Sequence, residues 1–134
     1  MYAFIVMKVA DIEYRDEYVT VDPAAKVKVV AGKILDGFPA IIAAIVVKAG
    51  EPVGITYLDT IVRSCVVGNK PAGKTKIEDV MDKSILKVTD QESIEIVKQK
   101  VAQFKPHGII VIDTKGAIEG FISPRDWAVI IGAK

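Results

Sequence analysis

The pattern of apolar and polar positions along this chain occurs twice. In each half, a short β-type run precedes a stretch with apolar residues at helical spacing. A continuous apolar run, a turn, a second short strand and a final helical stretch follow. The order predicts two β-α-β-β-α units, and the two copies are offset by about 67 positions.

In the first half, residues 18–21 predict a strand. Asp22 is the expected N-cap of the next helix, with Pro23 in its first turn. The inner face of that helix is expected to consist of four apolar residues, Val27, Val30, Ala31 and Ile34. Two strands and a helix complete the unit, at residues 40–47, 53–56 and 57–67.

The second half repeats this order. The predicted elements are strand 85–88, helix 90–104, strands 108–113 and 117–122, and helix 124–132. Four side chains of the helix 90–104 are expected to face the core: Ile94, Val97, Val101 and Phe104. A short opening motif precedes each half, "KVADI" at 8–12 and "KIEDVM" at 76–81.

These elements divide the chain into two repeats and a linker. The predicted boundaries are an N-terminal extension at 1–6, a first repeat at 7–68, a linker at 69–75 and a second repeat at 76–134. Met7 is an alternative start residue. A unit of about 60 residues buries little core by itself, so we expect an α/β protein in which the two repeats pack sheet to sheet with pseudo-twofold symmetry.

The last helix begins in the segment "GFISPRD" (residues 120–126), which carries strong helix-start signals. Ser123 can accept from the amide of Asp126, and Pro124 suits the first helical position. Free amides and the positive end of the helix dipole also favour an anion there. Thr56 and Asp59 stand 67 positions before Ser123 and Asp126 in the related segment "GITYLD".

These features together resemble a tandem CBS-domain pair, also called a Bateman module: the duplicated opening motif, the element order and the G-h-h-[ST]-x-x-D ending. The resemblance covers about Met7 to Lys134. It implies a regulatory, non-catalytic module. Such modules bind an adenosine-containing ligand, such as AMP, ADP, ATP or S-adenosylmethionine, in clefts between the repeats, so an adenine nucleotide is the expected partner.

The resemblance also implies which residues bind this ligand. Asp126 is expected to accept the ribose hydroxyls, while Ser123 and Arg125 meet a phosphate. Thr56 and Asp59 are the matching pair of the first repeat. That repeat has Leu58 at the arginine position and one residue fewer between its glycine and its Thr, which predicts a weaker site. The expected walls of the adenine pocket are Thr20, Ile85, His107 and Ile109.

The linker offers a competing hypothesis. Residues 68–75, "GNKPAGKT", match the P-loop pattern, which would make the chain a nucleotide hydrolase using Lys74, Thr75 and Asp113. Pro71 removes an amide that such a loop needs, and about 60 residues are too few for the remaining sheet. A CBS-type assembly module without a ligand is a third hypothesis.

Composition and charge argue against several kinds of partner and site. A net charge of +1 with dispersed basic residues argues against nucleic acid, and one His with the single Cys65 argues against zinc and disulfides. The longest apolar run, 40–47, is too short to span a bilayer, and no leader is recognisable, so we expect a cytoplasmic protein without a membrane partner. Scarce Asn and Gln are typical of thermophiles.

Two expectations complete the prediction. No constellation of a nucleophile with a base appears, so the chain is expected not to be an enzyme. The final helices carry more apolar surface than one small sheet can cover, which predicts a homodimer. The resemblance also implies a downstream protein that the module regulates. The residues behind this expectation are Ile61, Val62, Val66, Trp127, Val129 and Ile130.

Overall fold

Two three-stranded sheets, one from each half of the chain, form the framework. The computed structural model describes residues 7–132, so the predicted extension 1–6 lies outside the described residues. The first sheet consists of β1 (Tyr18–Val21), β2 (Ala43–Lys48) and β3 (Glu51–Tyr57). The second sheet consists of β4 (Ile85–Thr89), β5 (Gly108–Ile112) and β6 (Ile118–Ile122). In both sheets the first pair of strands is parallel and the second antiparallel.

The helices follow the same duplicated order. They are α1 (Val27–Gly37), α2 (Leu58–Ile61), α3 (Ile94–Phe104) and α4 (Pro124–Gly132). A π-helical segment, Val62–Val67, continues α2 directly. The predicted fold class, two β-α-β-β-α repeats, is therefore confirmed. Among the residues described, no helix is both long and apolar enough to cross a membrane.

Three apolar clusters hold these layers together. Between the sheets lie Ala43, Ile45, Ile55, Ile110 and Phe121, all buried. The alternation of side chains along a strand sends the neighbouring residues to the opposite faces, where α1 covers the first sheet and α3 the second. Continuous apolar strands are needed because both of their faces are covered.

The opening motifs are exchanged between the repeats. We call residues 8–14 the first opening segment; it belongs to the first repeat but packs on the second. Val9 N donates to the carbonyl of Glu92 at 3.0 Å, and Phe121 N donates to the carbonyl of Tyr14 at 2.7 Å. Val9 and Tyr14 are buried in the same cluster as α3 and β5.

The second opening segment, residues 76–82, makes the reciprocal contacts on the first repeat. Ile77 N donates to the carbonyl of Ala25 at 2.8 Å, and Ile55 N donates to the carbonyl of Asp82 at 2.9 Å. Ile77 is fully buried against α1. Each sheet, with its helices and the opening segment that packs on it, forms a lobe built from both repeats. Dividing the chain into two repeats at the linker therefore does not describe how it packs.

Two glycines make this exchange possible. A Cβ atom at Gly120 would overlap the backbone carbonyl of Tyr14 in the first opening segment. A Cβ at Gly54 would overlap the side chain of Met81 and stand 3.0 Å from the carbonyl oxygen of Asp82. The glycine that opens the repeated "G-h-h-[ST]" ending therefore serves the close approach of the other repeat's opening segment.

Helix α1 begins later than predicted because of the same exchange. Its N-cap is Lys26, not Asp22. Asp22 instead accepts from Ala24 N at 2.8 Å and forms a turn. The carbonyls of Pro23 and Ala25 are taken by amides of the second opening segment, so they cannot start a helix. Likewise α3 begins at Ile94, capped by Ser93.

The burial of two apolar residues differs from the prediction. Phe104, expected to face inward, is 61% exposed at the end of α3, where the chain turns away through Lys105 in the left-handed region. Ile61, counted among the surplus apolar residues, is buried against α1. The inward positions of α1 are confirmed.

We predict that Gly120→Ala costs at least about 2 kcal/mol of unfolding free energy, because a backbone carbonyl must move. Gly54→Ala should cost clearly less, since a flexible Met side chain can give way. Gly32→Ala, in open space on α1, is the control and should stabilise the protein by about 0.5–1 kcal/mol. Urea unfolding measures all three; equal losses for Gly120→Ala and Gly54→Ala would contradict the explanation.

Candidate functional site

The two helix starts that were predicted to bind ligand differ in how their hydroxyls are used. Ser123 is fully buried, and its Oγ accepts from Asp126 N at 3.0 Å, so it caps α4. Thr56 is also fully buried, but its Oγ1 has no hydrogen-bond partner within the described part of the chain. A buried hydroxyl without a partner is costly, and because Thr56 has no solvent-exposed surface, its hydroxyl is not open to a ligand in this structure.

A first cleft of about 400 Å³ opens beside the start of α2. Its lining combines the helix start of the first repeat with residues of the second repeat: Tyr57, Asp59, Thr60, Arg63, Asp82 and His107. The exchange of opening segments explains this mixture, because Asp82 ends the second opening segment and His107 immediately precedes β5. His107 was predicted to be a wall residue of the second-repeat site. The structure places it in the cleft of Asp59, and it also lines, with Ile109, Pro124 and Trp127, a small recess beside the start of α4.

A hydrogen-bonded network fixes one wall of this first cleft. Tyr57 donates its hydroxyl proton to the carbonyl of His107 at 2.6 Å. Burial raises the pKa of Tyr57, and the charges of Asp59 and Asp82 add to this effect, so the phenol remains a donor. The His107 ring contacts the Asp82 carboxylate.

Asp82 is held ionised in this network. Desolvation acts to raise the pKa of Asp82, but the amide of Ser84, at 2.8 Å, and the ring of His107 outweigh it, and the pKa is lowered. Its negative charge therefore persists at pH values below the usual titration range of an aspartate, where it remains a partner for the imidazole of His107.

Arg63 is the cation of this cleft that the sequence reasoning missed. It is exposed, lines the cleft beside Asp59, and forms no ion pair with any carboxylate of residues 7–132. It lies one turn after Asp59 on the same helical segment, and that spacing was the available signal. The family motif directed attention to Leu58 instead.

A second cleft of about 580 Å³ lies at the pseudo-symmetric position. Its lining again mixes the repeats: Asp16, Glu17, Gly37, Phe38, Pro39, Ala40, Ile41 and Arg125. Ala40 stands 67 positions before His107 and Leu58 stands 67 before Arg125, so corresponding places in the two clefts carry different chemistry.

Three carboxylates crowd this second cleft. Oxygens of Asp16, Glu17 and Asp126 all lie within 4.8 Å of one another. Arg125, expected to meet a phosphate, stands 3.8 Å from Glu17 Oε2. Desolvation raises the pKa of Asp126, with further increases from Glu17 and Asp16, against the opposing effects of Ser123 and Arg125.

The structure does not bring the remaining predicted wall residues together. Thr20 lies in a separate depression with Asp22 and Lys33. Ile85 packs beside the cluster between the sheets. Ile109 is buried against the helices of the second repeat, and it also faces a small recess of about 110 Å³ lined by Trp127.

The linker does not have the geometry of a P-loop. A π-helical segment precedes it rather than a strand, and only a short 3₁₀ turn follows. The amides of Lys74 and Thr75 both donate to the carbonyl of Pro71, at 3.0 Å, instead of pointing into an anion cradle. Asp113, the supposed metal ligand, accepts from Lys115 N and Ala117 N in the β5–β6 turn.

Comparison with known proteins agrees with this architecture. The sequence model of the CBS domain family matches residues 77–131. A CBS domain protein from Pyrobaculum aerophilum, solved in complex with AMP, is 16% identical and superposes with a TM-score of 0.75, covering 94% of this chain and 97% of its own. No curated protein matches the sequence significantly.

Two further structures are similar over most of the chain. The CBS domain pair of protein MJ0100, solved with 5′-methylthioadenosine and S-adenosyl-L-methionine, is 20% identical with a TM-score of 0.76 and coverage of 96% and 98%. A conserved CBS domain protein of unknown function from Thermoplasma acidophilum is 21% identical with a TM-score of 0.75 and coverage of 93% and 69%. The second repeat is thus a CBS domain, and the chain as a whole has the fold of a tandem CBS-domain pair.

Proposed function

We propose that this protein is a regulatory module that binds adenosine-containing ligands in its two inter-repeat clefts and signals their presence to another protein. One observation carries the proposal: in both clefts, an acidic residue at a helix start of one repeat lies beside acidic residues at the end of the other repeat's opening segment or just after it. The similar proteins solved with AMP, or with 5′-methylthioadenosine and S-adenosyl-L-methionine, support it.

In the first cleft, we assign the ribose hydroxyls to Asp59, because an ionised carboxylate accepts two hydrogen bonds at once. Arg63 is the group that receives a phosphate, since its guanidinium is exposed in the cleft and makes no ion pair within residues 7–132. We assign no ligand contact to Thr56, because it is fully buried and does not line this cleft. His107 forms the wall on the side of the second repeat, and Tyr57 of the first repeat holds it there through its hydrogen bond to the carbonyl of His107.

In the second cleft, the corresponding role belongs to Asp126, while the fully buried Ser123 holds the start of α4 through the hydrogen bond that its Oγ accepts from Asp126 N. Phe38 and Ile41 supply an apolar surface on which an adenine ring can lie. Arg125 closes the side of the cleft through its ion pair with Glu17. We leave Thr20, Ile85 and Ile109 outside this assignment, because they lie in other parts of the structure.

The proposed functional unit is a homodimer. Large apolar side chains stand exposed on the π-helical segment and on α4: Val62 at 48%, Val66 at 68%, Val67 at 75%, Val129 at 67% and Ile131 at 44%. Apolar groups gathered on two elements of a small domain favour association, and a second copy offers the same surface in return.

Ligand binding by the first cleft is tested by thermal shift with AMP, ADP, ATP, S-adenosylmethionine and GTP. A true ligand at about 100 times its dissociation constant adds about 2.7 kcal/mol of stability. Asp59→Ala should weaken AMP binding about ten- to a hundredfold, because hydrogen bonds to a charged group are lost. Asp36→Ala, an exposed aspartate on α1, is the matched control. Stabilisation by no adenosine compound would favour the assembly module without a ligand.

The phosphate role of Arg63 is tested with Arg63→Ile, which introduces the residue that the second repeat carries 67 positions later, Ile130. AMP should bind roughly tenfold more weakly, because the guanidinium no longer meets the phosphate. Adenosine should bind as before, since it has no phosphate. Calorimetry with both ligands measures the difference; an equal loss for adenosine and AMP would contradict the assignment.

The homodimer is tested with Val66→Glu, which places a charge in the exposed apolar surface. We expect the unsubstituted protein to be a dimer at micromolar concentration by light scattering and the variant to be a monomer, since burying an unpaired carboxylate is unfavourable. Val29→Glu makes the same change at a 53%-exposed position on α1 and should leave the dimer intact. A monomeric unsubstituted protein, with or without nucleotide, would refute the proposal.

A further inference from the structure

The two clefts occupy equivalent places in the fold but differ in charge. The first cleft contains two carboxylates, Asp59 and Asp82, the free guanidinium of Arg63, and His107 in contact with Asp82. The second contains three carboxylates within 4.8 Å of one another and one arginine.

The arginine of the second cleft is already engaged. Arg125 stands 3.8 Å from Glu17 Oε2, so its charge is directed at a carboxylate and not at open space. Glu17 Oε2 itself is shielded from solvent and has no hydrogen-bond donor within the described residues. A ligand that carries a donor or a positive charge would satisfy that oxygen, whereas a phosphate would be repelled by it.

The position of Glu17 is fixed by the backbone. Its carbonyl accepts from Ile42 N at 3.0 Å, next to the start of β2, and its φ of 69° holds the residue in the left-handed region just before β1. This anchoring keeps Glu17 at the cleft, where its side chain is only 17% exposed.

We propose that Glu17, assisted by Asp16, determines the ligand specificity of the second cleft, which excludes adenosine compounds with a 5′-phosphate and accepts those whose 5′-substituent is neutral or cationic. The inference rests on the proposed function, because it assumes that both clefts bind adenosine. It gives the chain two different inputs: adenosine phosphates at Arg63 in the first cleft, and uncharged or cationic adenosine compounds at Glu17 in the second.

The test uses three ligands that differ only at the 5′ position: 5′-amino-5′-deoxyadenosine, adenosine and AMP. Calorimetry on the full chain carrying Asp59→Ala, which weakens the first cleft about ten- to a hundredfold, reports mainly on the second cleft. EDTA is present throughout. We expect the amine to bind at least about tenfold more tightly than AMP, with adenosine between them, because a like charge a few ångströms away opposes the phosphate.

The Glu17→Gln substitution, added to this background, should reduce the ratio of amine to AMP affinity about tenfold, since it removes one charge and keeps the shape of the side chain. Glu95→Gln makes the same change at an exposed position on α3 and should leave the ratio unaltered. An unchanged ratio in Glu17→Gln would overturn the inference. AMP binding as tight as that of the amine would also overturn it. AMP binding that appears on adding Mg²⁺ would overturn it too, because the acids would then hold a cation that bridges to phosphate.

The outcomes also separate this inference from the proposed function. If AMP binds the unsubstituted protein and Asp59→Ala abolishes all binding, the second cleft takes no adenosine compound. The specificity inference then fails while the proposed function stands. If neither these three ligands nor ADP, ATP or S-adenosylmethionine bind the unsubstituted protein, both are refuted.

Discussion

The exchange of opening segments is the constraint on which the rest of this structure depends. Each segment leaves its own repeat and hydrogen-bonds to the last strand of the other, at Phe121 and at Ile55. The contact is so close that both strands need a glycine there, Gly120 and Gly54. Because neither lobe is complete without the other repeat, the two repeats form one unit and not two small domains joined by a linker.

The exchange also creates the clefts. An opening segment that crosses to the other repeat ends near the helix start there. This brings Asp82, the last residue of the second segment, into the cleft of Asp59, and it brings Asp16, which follows the first segment, close to Asp126. The backbone requirement is the same in both halves, so the glycines and helix starts are retained in both. The side chains that face the cleft have no such requirement. His107 corresponds to Ala40 and Arg125 to Leu58, and the charges of the two clefts have diverged.

The sequence was sufficient for the features that depend on local periodicity. The order of strands and helices, the buried faces of α1, and α4 from Pro124 to Gly132 all follow from apolar spacing and capping residues. Features that depend on contacts between residues far apart in the sequence could not be predicted. The late start of α1 results from amides of residues about 50 positions away, and no property of Asp22 or Pro23 reveals it.

The candidate site shows the same limit. The motif identified Asp59 and Asp126 because each is part of a local helix start. It could not group them with His107 or Glu17, because those residues reach the clefts only through the exchange. Arg63 was overlooked for a different reason: the family pattern assigns the cation to the residue just before the aspartate, where this repeat has Leu58.

The construction of the clefts has a consequence for regulation. A ligand can shift a conformational equilibrium only by the difference between its affinities for the two states. A ligand held between Asp59 and His107 contacts both repeats, so any movement of one repeat against the other changes its contacts and therefore its affinity. The surface formed by Val66, Val67 and Val129 lies on the helices that begin at the two clefts. In the proposed function, a ligand in a cleft therefore contacts the beginning of the same helical elements that we assign to the dimer.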